Sequence, residues 1–340
     1  MPFIDLLCPI VGEMVMHYTI STPTNPSATT VDTNIPTILF LHPVYIAQQI
    51  FHPQFLDPIL RRFNLIALDS RCHGASTGAV HKNFSRKEAA DDIYQLLKVL
   101  DLPACHVVGL SMGACIGLSL AIDHPEKVLS LCMMSPLPLE EPEDVAGGRE
   151  EIYRYWFEAF ADPEQIDESE LTDAVYGAVQ LGFNNAKSGI IDSLAKSAVS
   201  QNRKNWDTPH LQAFYEVSVG FFTNRHPHRR ERLAKINCPI LMIHCGGDIA
   251  YPIAYATELR DSLADAGLDV ELKSVPDACH FGNVTHPELI NRILHDWVVA
   301  ESTGKEQPGP VPASVVSPFQ ELLGDCSSDS DGTDDSDYEY

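Results

Sequence analysis

Positive charge is what this 340-residue chain has least of: 23 Lys and Arg stand against 47 Asp and Glu, for a formal net charge of −24. A surface of that sign repels polyanions, so neither nucleic acid nor an anionic membrane is expected as a partner. No run of about 18 apolar residues occurs, so no membrane-spanning helix is expected. The N-terminal residues lack a basic stretch and carry Asp5 and Glu13 among the apolar ones, unlike a signal peptide, and a cytoplasmic location is the expectation. The nine cysteines are odd in number and contain no Cys-x-x-Cys pair, which argues against both a disulfide framework and a zinc site.

What the chain does have is alternation. Buried-type strands are expected at 36–42, 64–69, 105–110, 127–134 and 238–245, each an apolar run bounded by turn residues, with a further strand at 270–275. Helices are expected between them at 51–63, 85–100, 112–123, 252–266 and 286–300. Ser85 and Glu88 form a capping box for the second of these. An exposed strand over 13–20 should pair in a hairpin with the segment before Gly12, and 21–34 reads as a solvated loop. Strands separated by helices imply a mostly parallel sheet covered on both faces. From about 139 to 235 the alternation stops and four helical patterns follow (151–161, 170–181, 186–201, 211–223), an insertion placed to cap a site.

The expected organisation is a first α/β part at 1–138, a helical cap at 139–235, a second α/β part at 236–300 and a disordered acidic tail at 301–340. That tail holds ten acids and one base, contributing −9 and leaving −15 for the other 300 residues. Such a composition does not bury enough apolar surface to order itself, so deleting 305–340 is expected to leave the melting temperature unchanged.

The chemistry centres on Gly109-Leu110-Ser111-Met112-Gly113. A serine between these glycines, on a sharp turn from strand to helix, has its hydroxyl lifted clear of the sheet, and the N–H of Met112 points to where an oxyanion would form. Serine needs a base oriented by a third group. His280, just after the strand 270–275, is the candidate base, and Asp248, at the end of the strand 238–245, is the candidate orienter. His106, His124 and His286 read as structural. His226 and His228 flank Pro227 in a basic patch with Arg225, Arg229 and Arg230, where no metal site is expected.

With His42-Pro43, the segment Asp69-Ser70-Arg71-Cys72-His73-Gly74-Ala75-Ser76, the Ser111 motif, 248–252 and His280, residues 10–300 resemble the α/β-hydrolase superfamily. Within it they look like the cap-bearing hydrolases that include 3-oxoadipate enol-lactonases, haloperoxidase-type esterases and C–C bond hydrolases. The resemblance implies an α/β-hydrolase fold with a helical cap, nucleophile Ser111, acid Asp248, base His280, and oxyanion donors at the N–H groups of Met112 and Val44. It also implies a small-molecule ester or lactone as substrate and no cofactor or metal. The chain departs from the family pattern in having Pro43 where glycine is usual, which redirects the loop carrying Val44 and makes Tyr45 an alternative donor. Tyr45, Trp156 and Phe160 are candidate pocket residues. Acyl transfer, C–C cleavage on the same triad, and a ligand receptor on this fold are the alternatives.

Overall fold

The computed structural model describes residues 2–302 and 307–324. One sheet of ten strands runs through it: β1 (Phe3–Cys8), β2 (Gly12–Thr22), β3 (Asn25–Ala28), β4 (Thr37–Leu41), β5 (Asn64–Leu68), β6 (Thr77–Gly78), β7 (Cys105–Leu110), β8 (Val128–Met134), β9 (Ile240–Cys245) and β10 (Val270–Val275). Their order is β1-β2-β5-β4-β7-β8-β9-β10, with β3 and β6 on β2. Every pairing from β5 through β10 is parallel, and β2 joins β5 antiparallel.

The central strands are apolar at nearly every position because both faces are covered. Leu39, Val107, Leu131 and Ile240 serve the core on one face; Phe40, Val108, Cys132 and Leu241 serve the other. The edge strand β10 is only half covered, and its Glu271 and Lys273 sit at intermediate or greater exposure. The eight described cysteines are all buried and none is in a disulfide; burial pushes the Cys72 and Cys238 thiols up to about 11.

Three local expectations are corrected. The helix expected over 51–63 is instead a turn at Gln48–Phe51, a short helix His52–Leu56 and a turn at Leu60–Arg62. Pro58 forces Asp57 into extended backbone, and the Asp57 carboxylate then caps the N–H groups of Ile59 and Leu60. The loop expected over 21–34 instead begins with the end of β2 and the short return strand β3.

The third correction concerns the tail. Residues 307–324 are ordered against the body, while 303–306 and 325–340 lie outside the described residues. Arg62 Nε donates to the Gly309 carbonyl (2.7 Å), Arg61 Nη1 donates to that of Val316 (2.9 Å), and Phe319 is fully buried with its ring 5.1 Å from Phe55. The Gln320–Leu323 helix lies against Gly189–Asn205 of the helical region. Acidity averaged over forty residues conceals one buried aromatic, Phe319, and one buried leucine, Leu323, which with the two arginine bonds hold a short strap. Phe319→Ala is expected to lower unfolding free energy by about 3–4 kcal/mol, and Val311→Ala, at an exposed site, by no more than about 0.5 kcal/mol, in urea titrations.

Residues 139–235 contain helices and turns and no strand. The long helices are Glu143–Ala159, Glu168–Phe183 and Gly189–Asn205. Asn202 Nδ2 donates to the Tyr45 carbonyl (2.8 Å), Asn205 Nδ2 to that of Gly74 (2.7 Å) and Trp206 Nε1 to that of Cys72 (2.9 Å). These bonds hold the insertion over the loops that leave β4 and β5. Among the described residues no helix is long and apolar enough to cross a membrane.

Candidate active site

Ser111 occupies the turn between β7 and the Met112–Asp123 helix with φ 53° and ψ −110°. Side chains rarely adopt such angles, and they persist only where surroundings impose them. A Cβ at Gly113 would enter the Leu41 carbonyl of β4, and one at Gly109 would enter the backbone of Gly113, so helix and sheet close on each other only with glycine at both places. Ser111 N–H donates to the Met134 carbonyl of β8 (3.0 Å), fixing the turn from the other side. Met112, first in its helix, has no preceding-turn carbonyl for its N–H.

His280 lies in the loop after β10, with Nε2 2.8 Å from Ser111 Oγ and Nδ1 2.5 Å from Asp248 Oδ2. All three residues are buried. The Asp248 partner fixes the proton on Nδ1, leaving Nε2 as an acceptor aimed at the hydroxyl. Asp248 Oδ1 accepts the N–H groups of Ala250 and Tyr251, each at 3.0 Å. Burial alone would raise the Asp248 carboxyl, but His280 and these donors outweigh it and hold it below the usual carboxylate range. The His280 loop is tied twice: Ser135 Oγ donates to the His280 carbonyl, and Phe281 N–H donates to the Gly182 carbonyl of the helical insertion (2.8 Å). Neither tie has a signature in the sequence.

The loop bearing Val44 keeps a defined path despite Pro43. His42 Nε2 accepts the Ser70 N–H (2.8 Å), which leaves the proton on Nδ1 to be donated to the Pro43 carbonyl (2.6 Å). Val44 is buried, and Tyr45 turns the chain at φ 71° with its carbonyl held by Asn202. The 69–76 segment serves as a buttress for this loop. Asp69 accepts from Gln48 N–H and Ala75 N–H and pairs with His17 (2.6 Å), while Arg71 makes two 2.8 Å bonds to Asp92.

His73 in that segment is pushed down to about 3, by burial first and then by the neighbouring His42, and burial pushes His106 in β7 down to about 4. The unfolded chain keeps the ordinary imidazole value of about 6.5, so below it the unfolded state binds more protons. The contribution to stability is therefore complete above that value and is lost as pH falls toward the folded-state values. Each of these histidines is expected to remove about 2 kcal/mol between about pH 7 and about pH 5. Urea midpoints across that range should fall accordingly, and His106→Gln should make the decline shallower.

A cavity of ≈ 40 Å³ is walled by Tyr45, Trp156, Phe183, Trp206, Phe214 and Phe281 among others; Ser111, Asp248 and His280 do not line it, and Phe281, whose ring lies 5.3 Å from that of His280, stands between. Two of the three expected pocket residues, Tyr45 and Trp156, line it. Phe160 does not: it stacks on the Trp156 ring (centroids 5.1 Å apart), one layer removed from the cavity. A wider cleft of ≈ 490 Å³ opens between the Glu143–Ala159 and Glu168–Phe183 helices and reaches Ile249 and Ala250, next to Asp248; Ile152 lines both spaces.

Sequence reading missed a buried charge cluster next to His280. Glu141 accepts from Arg149 Nε (2.6 Å), Tyr251 OH (2.8 Å) and Arg225 Nη2 (2.9 Å), and the Tyr251 ring lies 5.3 Å from that of His280. In sequence Glu141 and Arg149 sit in a charge-rich run that reads as solvated surface.

Comparisons with known proteins agree with this architecture. The family model for the alpha/beta hydrolase fold matches residues 36–287. A Serratia proteamaculans protein whose name gives it as a carbamate hydrolase, RutD, is 25% identical over 276 residues, covering 81% of this chain and 95% of its own. A Mycobacterium tuberculosis protein named as a non-heme bromoperoxidase, BpoC, is 27% identical over 253 residues (73% and 88%). Among solved structures, a thermophilic esterase from Thermogutta terrifontis superposes with TM-score 0.67 at 15% identity, covering 89% of this chain and 100% of its own. The enol-lactonase from Burkholderia xenovorans LB400 superposes at 0.64 and 16% (87% and 99%).

Proposed function

As the chain belongs to the alpha/beta hydrolase fold family, we propose that it is a serine hydrolase that opens a carboxylic ester or lactone through an acyl-enzyme on Ser111. The observation that carries this reading is the hydrogen-bonded line from the Ser111 hydroxyl through His280 to Asp248. In the forward step His280 Nε2 takes the hydroxyl proton as Oγ bonds to the carbonyl carbon, and the carbonyl oxygen gathers negative charge. The N–H groups of Met112 and Val44 receive that charge. Collapse expels the alkoxide, which takes the proton back from His280. Water, deprotonated by His280, then attacks the acyl carbon and frees Ser111. Asp248, held ionised, stabilises the imidazolium at each stage.

The apolar walls and small volume beside Tyr45 and Phe281 suit a short apolar acyl group, with the alcohol part facing the larger cleft near Ile249. A carbamate carbonyl would meet the same attack. The test is a panel of p-nitrophenyl esters from acetyl to decanoyl, with aryl carbamates and γ- and δ-lactones, assayed on the purified protein. Short acyl esters are expected to give kcat/KM at least about tenfold above decanoyl, since chain beyond the cavity must displace packed aromatic rings. Absence of turnover across the whole panel would overturn the reading.

A further inference from the structure

Apart from Arg225, whose Nη2 is held by Glu141, the basic patch at 225–230 takes no part in the site above. With the start of the Arg86–Val99 helix it encloses a separate cleft of ≈ 780 Å³. Five fixed cations line this cleft, Arg86, Lys87, Arg225, Arg229 and Arg232, against one lining carboxylate, Glu231. The protein as a whole carries −24, so this concentration runs against its overall charge.

Four of these cations have anchors. Arg225 is held by Glu141, Arg232 by Asp123 (2.6 Å), Lys87 by Asp91 (2.9 Å), and Arg86 by the His226 carbonyl. The anchors leave donors over. Arg225 Nε and Ser119 Oγ, on side chains almost wholly buried, have no hydrogen-bond partner among the described residues, and neither do His228 Nε2 and Arg232 Nε. All four residues line the cleft. A helical serine ordinarily bonds back to the carbonyl four residues earlier, so Ser119 is left with a free hydroxyl at a place where one is unfavourable. Burial, and then Arg86 and Arg232, push His228 down to about 3, so it stands as a neutral imidazole able to donate without adding charge.

A cleft whose arginines, serine and histidine keep donors unspent after their ion pairs are made suits a multivalent anion, which offers several acceptor oxygens in different directions. Phe84 and Phe221 supply an apolar wall on the same cleft. We infer that the cleft between the Arg86–Val99 helix and residues 225–232 binds a phosphate monoester of a small organic molecule, its phosphate on Arg86, Arg232, Arg225, Ser119 and His228 and its organic part on the two phenylalanines. The site is separate from Ser111 and does not depend on the hydrolase reading.

The test is isothermal titration of the full chain with phenyl phosphate and with inorganic phosphate, at ionic strength held constant with sodium chloride. One-site saturable binding is expected for both, tighter for phenyl phosphate. Arg86→Gln and Ser119→Ala are each expected to weaken binding by about tenfold or more, the loss of one bond to a charged group. Arg232→Gln, at a half-exposed side chain, provides a variant with little risk to folding, and melting curves of all three show whether they are folded. Heats that do not saturate, phenyl phosphate binding no tighter than phosphate, or folded variants that keep wild-type affinity would overturn the inference.

Discussion

Ser111→Ala is expected to reduce kcat by about 10⁴–10⁶-fold on whichever ester of the panel is turned over fastest, with the melting temperature little changed. The alanine keeps the strained turn, because Gly109 and Gly113 and the Met134 bond that hold it are untouched, so the change removes chemistry and leaves packing. His280→Ala should cost a similar factor. The double variant should be no slower than either single one, since nucleophile and base act as a unit and loss of one leaves the other with nothing to do. Residual activity within about tenfold of the parent in Ser111→Ala would remove Ser111 from the mechanism.

The largest expected effect on stability is that of Glu141→Ala. The Glu141 side chain is almost wholly buried and is the carboxylate partner of both Arg149 and Arg225, which are buried too. Removing it leaves two guanidinium charges without compensation and takes away the acceptor of Tyr251 OH. A loss of about 3–5 kcal/mol is expected in urea titrations. Glu140→Ala, one residue earlier and exposed, should change stability by no more than about 0.5 kcal/mol. Near-equal effects at 140 and 141 would mean that the buried cluster carries no structural weight. Glu141→Ala should also reduce turnover in molecules that remain folded, because Tyr251 places its N–H on Asp248 and its ring beside His280.

How much of this was legible in the chain follows from how local each signal is. The parallel sheet could be read because strands covered on both faces are apolar throughout, and the Gly-x-Ser-x-Gly turn because the close approach of Gly113 to Leu41 excludes any side chain. The break in the 51–63 helix was legible in principle, since Pro58 restricts Asp57 to extended backbone. The strap at 307–324 was hidden by its acidic surroundings, and Phe160 by the fact that a ring next to a pocket residue has the same spacing as a ring in the pocket. Glu141, Arg149, Asn202 and Gly182 could not have been found. Glu141 and Arg149 pair across eight residues, but what places that pair and the other two is contact with Arg225, Tyr251, Tyr45 and Phe281, from about 80 to about 160 positions away, which nothing in their neighbours' identities encodes.

The central claim is that the Ser111 hydroxyl is activated as a nucleophile. Its most direct test is to treat the full chain with a fluorophosphonate, weigh the intact protein and map the modified peptide. The account requires one adduct per chain, on Ser111, abolished in Ser111→Ala and greatly slowed in His280→Ala. An unmodified chain, or an adduct on any other residue at the same rate, would contradict it.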